Sequence, residues 1–352
     1  MKYIKGYDGL RAISIGMVFY SHLPFGDPFT DPQMNTRVGM IFSGDMGVKI
    51  FFVLSGFLIT RILLQEKYTT GRISFANFYT RRFIRLLPPL LVFYLALVIF
   101  MLSGLIDPQW AGLAFSFFYL YNFVPKKYYS GELGPMWSLG VEEQFYLFWP
   151  VIIHFFRKYI PFIAGLIVML CLVAKVYLPG IIFFHSGKFY SLNDYTFLDR
   201  WFLPAVAPVM IGAISSFLIF NREDKWSRYF TKMFSLVPTL FFYFLPLFIP
   251  RSLFAFAYEI ELLQICGISG LLLWAFFNQK SLLTRILEFN PVAYTGKISY
   301  GLYVYHGLFI RTGPGQLFIQ QYPLNIFLTA AAAILSYECM EKRVLKLKEK
   351  FR

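Results

Sequence analysis

The sequence predicts an all-α, polytopic membrane protein of about ten transmembrane helices. Three observations point there. Hydrophobic residues make up 57% of the 352 and charged ones only 15%, against about 25% charged in soluble domains. The mean hydropathy is +0.57. Apolar runs of about 20 residues, the length that crosses a bilayer, recur along the whole chain. A soluble chain of this length could bury a core without them.

The expected spans are 8–24, 47–64, 87–106, 138–156, 159–178, 198–220, 233–249, 258–277, 292–311 and 323–340. The first is kept as a span because it lacks a small-residue cleavage site and holds Arg11 and His22. The run 110–124 is apolar but short, and charge decides against it. With ten spans and the N-terminus inside, the inner side receives Lys2, the 61–85 and 157–158 arginines and lysines, the 222–232 loop with Lys232, and the tail from Lys342 through Lys346, Lys348 and Lys350 to Arg352. Outer loops keep Asp27, Asp31, Asp45, Asp107, Asp194 and Asp199. An eleventh span would put the basic 221–232 loop outside, against the positive-inside rule. The segment 110–137 is therefore expected to be re-entrant or on the outer surface, with both termini cytoplasmic in the cell membrane.

The net charge of +14 does not point to nucleic acid, because the basic residues flank apolar runs and do not share one soluble face. Cys171, Cys266 and Cys339 lie in or beside apolar runs without CxxC spacing and read as buried small hydrophobes. His22, His154, His185 and His306 show no metal-ligand spacing, so no metal is expected.

Polar residues inside these runs mark candidate chemistry. In YDGLRAISIGMVFYSH, Arg11 and His22 lie eleven positions apart. On a helix that is about 16 Å and close to three turns, so both point off nearly one face. Asp8 sits one turn before Arg11 and can pair with it. A neutral imidazole in an apolar site can take a proton, as a general base must. In GVKIFFVLSGFLIT, Ser55-Gly56 permits close helix approach, and Lys49 near its outer end has no assigned role. In RISFANFYTRRFIRLLPP, Arg82 and Arg85 share a helix face beside Arg81. Such a pair suits phosphate groups; anchoring to anionic lipid headgroups is the plain alternative. In PMWSLGVEEQFYLFW, Ser138 can cap a helix, with Glu142 and Glu143 in its early turns. Either carboxylate could steady His22. In GKISYGLYVYH, Tyr303 and His306 share a face. They suit a substrate path, with hydrogen bonding between helices as the alternative. Tyr337, Glu338 and Glu341 read as local pairing before the basic tail.

These motifs, in this order, resemble the acyltransferase-3 family of integral-membrane acyltransferases over nearly the whole chain. The resemblance implies a single integral-membrane acyltransferase domain over 1–352 and transfer of an acyl group, usually acetyl from cytoplasmic acetyl-CoA. The implied acceptor is a hydroxyl of a surface or exported glycan or glycolipid. It marks Arg11 and His22 as essential, Arg82 and Arg85 as coenzyme A contacts, and Glu142 and Glu143 as core. Some members add an SGNH-type hydrolase-like domain; this chain ends at Arg352 and is expected to act as the standalone type. Two other classes stay open: a carrier that moves acyl groups or glycan for a separate transferase, and a scaffold in a polysaccharide export complex.

Overall fold

A computed structural model describes residues 3–24, 28–185, 188–231, 235–313 and 317–347. Lys2, Asp27, Lys232, Lys348, Lys350 and Arg352, expected at the membrane surfaces, lie outside the described residues.

The helices follow in order. They are α1 (Tyr7–His22), α2 (Pro32–Ile41), α3 (Gly44–Thr70), α4 (Phe75–Leu102), α5 (Trp110–Phe117), α6 (Met136–Phe156) and α7 (Ile160–Tyr177). A hairpin of β1 (Ile182–His185) and β2 (Lys188–Ser191) comes next, antiparallel, with Ile182 opposite Ser191. Then come α8 (Leu192–Tyr195), α9 (Phe202–Ala205), α10 (Ala207–Asn221), α11 (Glu223–Phe230), α12 (Leu236–Tyr243) and α13 (Ala257–Phe277). The chain closes with α14 (Leu282–Leu287), α15 (Asn290–Lys297), α16 (Ser299–Phe309), α17 (Leu324–Ser336) and α18 (Lys342–Leu347). The protein is an all-α polytopic membrane protein, with the small hairpin as its sheet. Among the described residues, four helical stretches are long and apolar enough to cross a membrane: Pro32–Thr70, Phe75–Leu102, Met136–Gly180 and Ser252–Phe277.

Several expected spans change shape for local reasons. The helix expected from 87 begins at Phe75, where the Ser74 side chain accepts from the Asn77 N–H at 3.4 Å. The 72–89 arginine stretch is therefore mostly helix. The span at 233–249 shrinks to eight residues and then tightens into a 3-10 turn around Pro246, because proline supplies no N–H for the α pattern. The span at 292–311 is divided at Ile298 into α15 and α16. The 110–137 segment forms α5, only eight residues long, and two 3-10 turns. Cys171 is buried, but Cys266 and Cys339 face outward. They are not core residues; on a bundle in lipid the outward face is itself apolar. Near the tail, Glu338 pairs with Lys342 at 2.9 Å and Glu341 accepts from Ser336 at 3.0 Å.

Helix α3 organises the bundle. Along α3 most side chains from Gly44 to Leu64 are buried, whereas α4 buries only six, Phe78, Pro89, Leu90, Phe93, Leu97 and Met101, so α3 is central and α4 faces outward. Its Ser43 cap accepts from the Met46 N–H, and Gly71 ends it in the left-handed conformation at φ 74°. At the crossing with α10, Gly56 faces the Val209 carbonyl and Gly212 faces the Val53 carbonyl. A methyl group at either position would overlap backbone. Gly212→Val should therefore lower stability by about 1–3 kcal/mol or more, read as a drop in the thermal midpoint of the detergent-solubilised protein. A midpoint equal to wild type would mean the crossing is looser than described.

Candidate active site

Helices α1, α3, α4, α6 and α16 enclose a cavity of about 950 Å³. One end is cationic: Arg72, Arg81, Arg82 and Arg85 line it with Gln65, Thr69, Ser74 and Asn77. The three-residue spacing of Arg82 and Arg85 on α4 turns both toward it. Arg81 is tied to Glu66 at 3.2 Å. The Arg82 guanidinium lies over the Phe78 and Tyr146 rings, at 5.7 and 5.4 Å, which holds a cation in place without neutralising it. Arg11 lines the same cavity and binds Asp8 at 2.7 Å, so the expected pair forms.

The middle of the cavity is apolar, with Phe51, Phe52, Leu54, Leu58 and Ile59. Polar groups continue away from the arginines: Glu142 and Tyr146 lie beside Arg82, Tyr300 donates to the Leu86 carbonyl at 3.0 Å, and Ser138 and Tyr303 form the far end. Ser138 Oγ donates to the Pro135 carbonyl at 3.1 Å. A hydroxyl has one proton to give, so the 2.5 Å contact between Ser138 and Tyr303 has Tyr303 as donor. Ser138 is thus no helix cap; α6 already begins at Met136. Tyr146 Oη meets Ser55 Oγ at 2.5 Å and Glu142 Oε2 at 3.5 Å.

His22 and His306 do not line this cavity. They stand past its Tyr303 end, with ring centroids 5.4 Å apart. The His306 ring is 5.1 Å from that of Tyr303. His22 Nδ1 lies 2.7 Å from the Val18 carbonyl, and His306 Nδ1 lies 2.5 Å from the Tyr303 carbonyl. A carbonyl only accepts, so both Nδ1 atoms carry the proton and both Nε2 atoms present a lone pair. His22 Nε2 faces the Thr312 hydroxyl at 3.4 Å.

The structure therefore brings Arg11, Arg82, Arg85, Glu142 and Tyr303 to one cavity and pairs His22 with His306 beyond it. Glu142 does not meet His22 as expected. It sits nearly two turns into α6, on the arginine side of Ser138, whereas His22 is the last residue of α1. Glu143, rotated about 100° from its neighbour, faces a second cavity of about 530 Å³ with Tyr79, Tyr94 and Tyr119. Arg82 and Tyr146 line both cavities.

Sequence reasoning missed three residues at the histidine end. Arg311 Nε donates to Glu132 Oε1 at 2.6 Å, with side chains 14% and 4% exposed. Thr312 donates its N–H to the Gly131 carbonyl at 3.1 Å. Arg311 has φ 62°, a left-handed conformation that costs a non-glycine residue about 1–2 kcal/mol. The only advance signal was a buried-type acid set among glycines in SGELGP. Lys49, unexplained in the sequence, also finds its setting. Its Nζ meets Glu261 at 3.1 Å and pairs with Asp45, while Lys175 binds the same Glu261 at 2.5 Å. Those charges tie α3, α7 and α13 together.

A polytopic helical bundle around a chamber lined by arginines at one end and hydroxyls at the other is the class this architecture defines. The chain matches the acyltransferase domain family, acyltransferase-3, over residues 4–337 and belongs to it. It is similar to the peptidoglycan O-acetyltransferase OatA of Listeria monocytogenes, 29% identical over 332 residues, covering 87% of this chain and 49% of that protein. It is also similar to the O-acetyltransferase OatA of Staphylococcus aureus strain NCTC 8325, 27% identical, covering 98% of this chain and 58% of that protein. A third relative, a putative O-acetyltransferase of S. aureus strain COL, is 29% identical, covering 97% and 57%. The chain thus spans about half the length of these curated relatives. No solved structure matches it.

The histidine pair stands beyond the Tyr303–Ser138 contact from the arginines, so the two ends should open to opposite sides of a membrane. In a cysteine-free background, Gln65→Cys should react with an impermeant thiol reagent from one face and Thr312→Cys from the other. Labelling of both from the same face would overturn this arrangement.

Proposed function

We propose that the chain is a membrane O-acyltransferase that moves acetyl from cytoplasmic acetyl-CoA to a hydroxyl of a cell-envelope glycan. The observation that carries this reading is the cavity itself, with Arg82 and Arg85 at one end and Tyr303 beside the histidine pair at the other. The arginine end faces the cytoplasm, both termini are cytoplasmic, and about ten passes form one domain. Basic residues crowd that end as the positive-inside rule requires. The names of the relatives support an acceptor among envelope glycans.

In this reading Arg82 and Arg85 grip the coenzyme A phosphates, and the thin pantetheine arm lies along the apolar middle. Arg11 lines the path. The acceptor hydroxyl enters from the outer side and gives its proton to His22 Nε2. Its oxygen attacks the thioester carbonyl, the C–S bond breaks, and the departing thiolate takes up a proton, leaving free coenzyme A and an ester. Glu142 balances the cavity arginines in place of the imidazolium partnership expected from sequence. Because His22 stands past the Tyr303–Ser138 contact, that hydroxyl pair must part when donor and acceptor meet.

A carrier of acyl groups or glycan is the second reading, and the closed Tyr303 end of the cavity favours it. Purified protein in nanodiscs with labelled acetyl-CoA and an N-acetylglucosamine oligomer separates the two, since a carrier makes no ester. With this assay His22→Ala should lose at least about 100-fold in rate. Arg82→Ala and Arg85→Ala should raise KM for acetyl-CoA about tenfold, the loss of one charge-assisted contact. Near-wild-type turnover by His22→Ala would refute the base assignment.

A further inference from the structure

The proton taken up by His22 needs a partner, and Glu142 is not there. The group that faces Nε2 is Thr312 Oγ1, at 3.4 Å. Its place is fixed from three directions. The Thr312 N–H is bonded to the Gly131 carbonyl. Gly134 leaves room for the Thr312 hydroxyl where a Cβ would strike it. Arg311, one residue earlier, is held in a left-handed conformation while its Nε binds the buried Glu132. Gly usually occupies that position after a helix; here an arginine does, and its side chain closes an ion pair to a segment 179 positions away.

We infer that Glu132 and Arg311 are positioning residues whose ion pair sets the Thr312 hydroxyl against His22 Nε2. The inference rests on the reading of His22 as the base. A hydroxyl can both donate and accept. In the resting site Thr312 donates to Nε2. When the acceptor hydroxyl arrives, it replaces that donation and passes its own proton to Nε2. The new Nε2–H then donates to Thr312 Oγ1, which steadies the imidazolium until the proton leaves for the thiolate. Thr312 forms no covalent bond to the acyl group. Its contact is long at rest, which leaves the approach to Nε2 open to the acceptor.

The test uses the full chain in nanodiscs with labelled acetyl-CoA and an N-acetylglucosamine oligomer. Thr312→Val keeps the shape and removes the hydroxyl; kcat should fall about 10- to 100-fold while KM for acetyl-CoA stays within about twofold. Thr312→Ser should restore kcat to within about threefold of wild type. Glu132→Gln should match Thr312→Val, and the double variant should be no slower than either single one, because both act through one hydroxyl. If Glu132→Gln does not elute as a folded species, the Val and Ser variants decide. The inference fails if Thr312→Val stays within about threefold of wild type, or if the double variant multiplies the two losses. It also fails if peptide mass spectrometry finds acetyl on Thr312, which would make that residue a carrier. An inactive His22→Ala beside an unaffected Thr312→Val sinks this inference alone, whereas an active His22→Ala sinks the base assignment as well.

Discussion

Inside a bilayer a cation or hydroxyl has no bulk water to satisfy it, so its partners must come from the protein. That requirement explains how the polar groups of this bundle are grouped. Arg11 has Asp8, Arg81 has Glu66, Arg311 has Glu132, and Lys49 with Lys175 shares Glu261. Arg82 differs. Its ring contacts leave its charge facing the cavity. A guanidinium stabilised by aromatic faces keeps its donors available to an anion in a way that an ion-paired one does not. The contrast between the paired arginines and Arg82 separates those that brace helices from one suited to bind.

What could be read from sequence depended on whether a relationship lies within one helix or between two. Asp8 with Arg11, and Arg82 with Arg85, follow from helical spacing, and the structure shows both relationships. The shared face of Tyr303 and His306 on α16 follows in the same way. Glu142 against His22 required knowing how far α6 is offset along α1, and no periodicity encodes that offset. Loops were less legible still. Glu132, Arg311 and Thr312 sit in segments without a repeat, 179 positions apart, and meet only because α16 ends beside the start of α6. Of the partners of Lys49, Asp45 lies one turn away on α3, whereas Glu261 is met only once α13 is in place. Span lengths failed where Pro246 or the break at Ile298 interrupted an apolar run that hydropathy alone treats as continuous.

If the donor is a thioester, as proposed, the separation between the cavity and the histidine pair suits its chemistry. On the proposed reading, a donor that enters from the cytoplasm must reach an acceptor outside without opening a continuous water path, because water would compete for the acyl group. A wall at the end of the donor chamber meets that need. The wall here includes two hydroxyls, Tyr303 and Ser138, joined by one hydrogen bond. A neutral hydrogen bond of this type contributes about 0.5–1.5 kcal/mol, small beside the binding energy of a multiply charged donor gripped by arginines. A wall of interdigitated leucines would cost more to part, since each buried side chain removed from its packing costs about 2–5 kcal/mol. A hydroxyl pair is therefore a barrier that donor binding can open, and once open it leaves two polar groups facing the thioester.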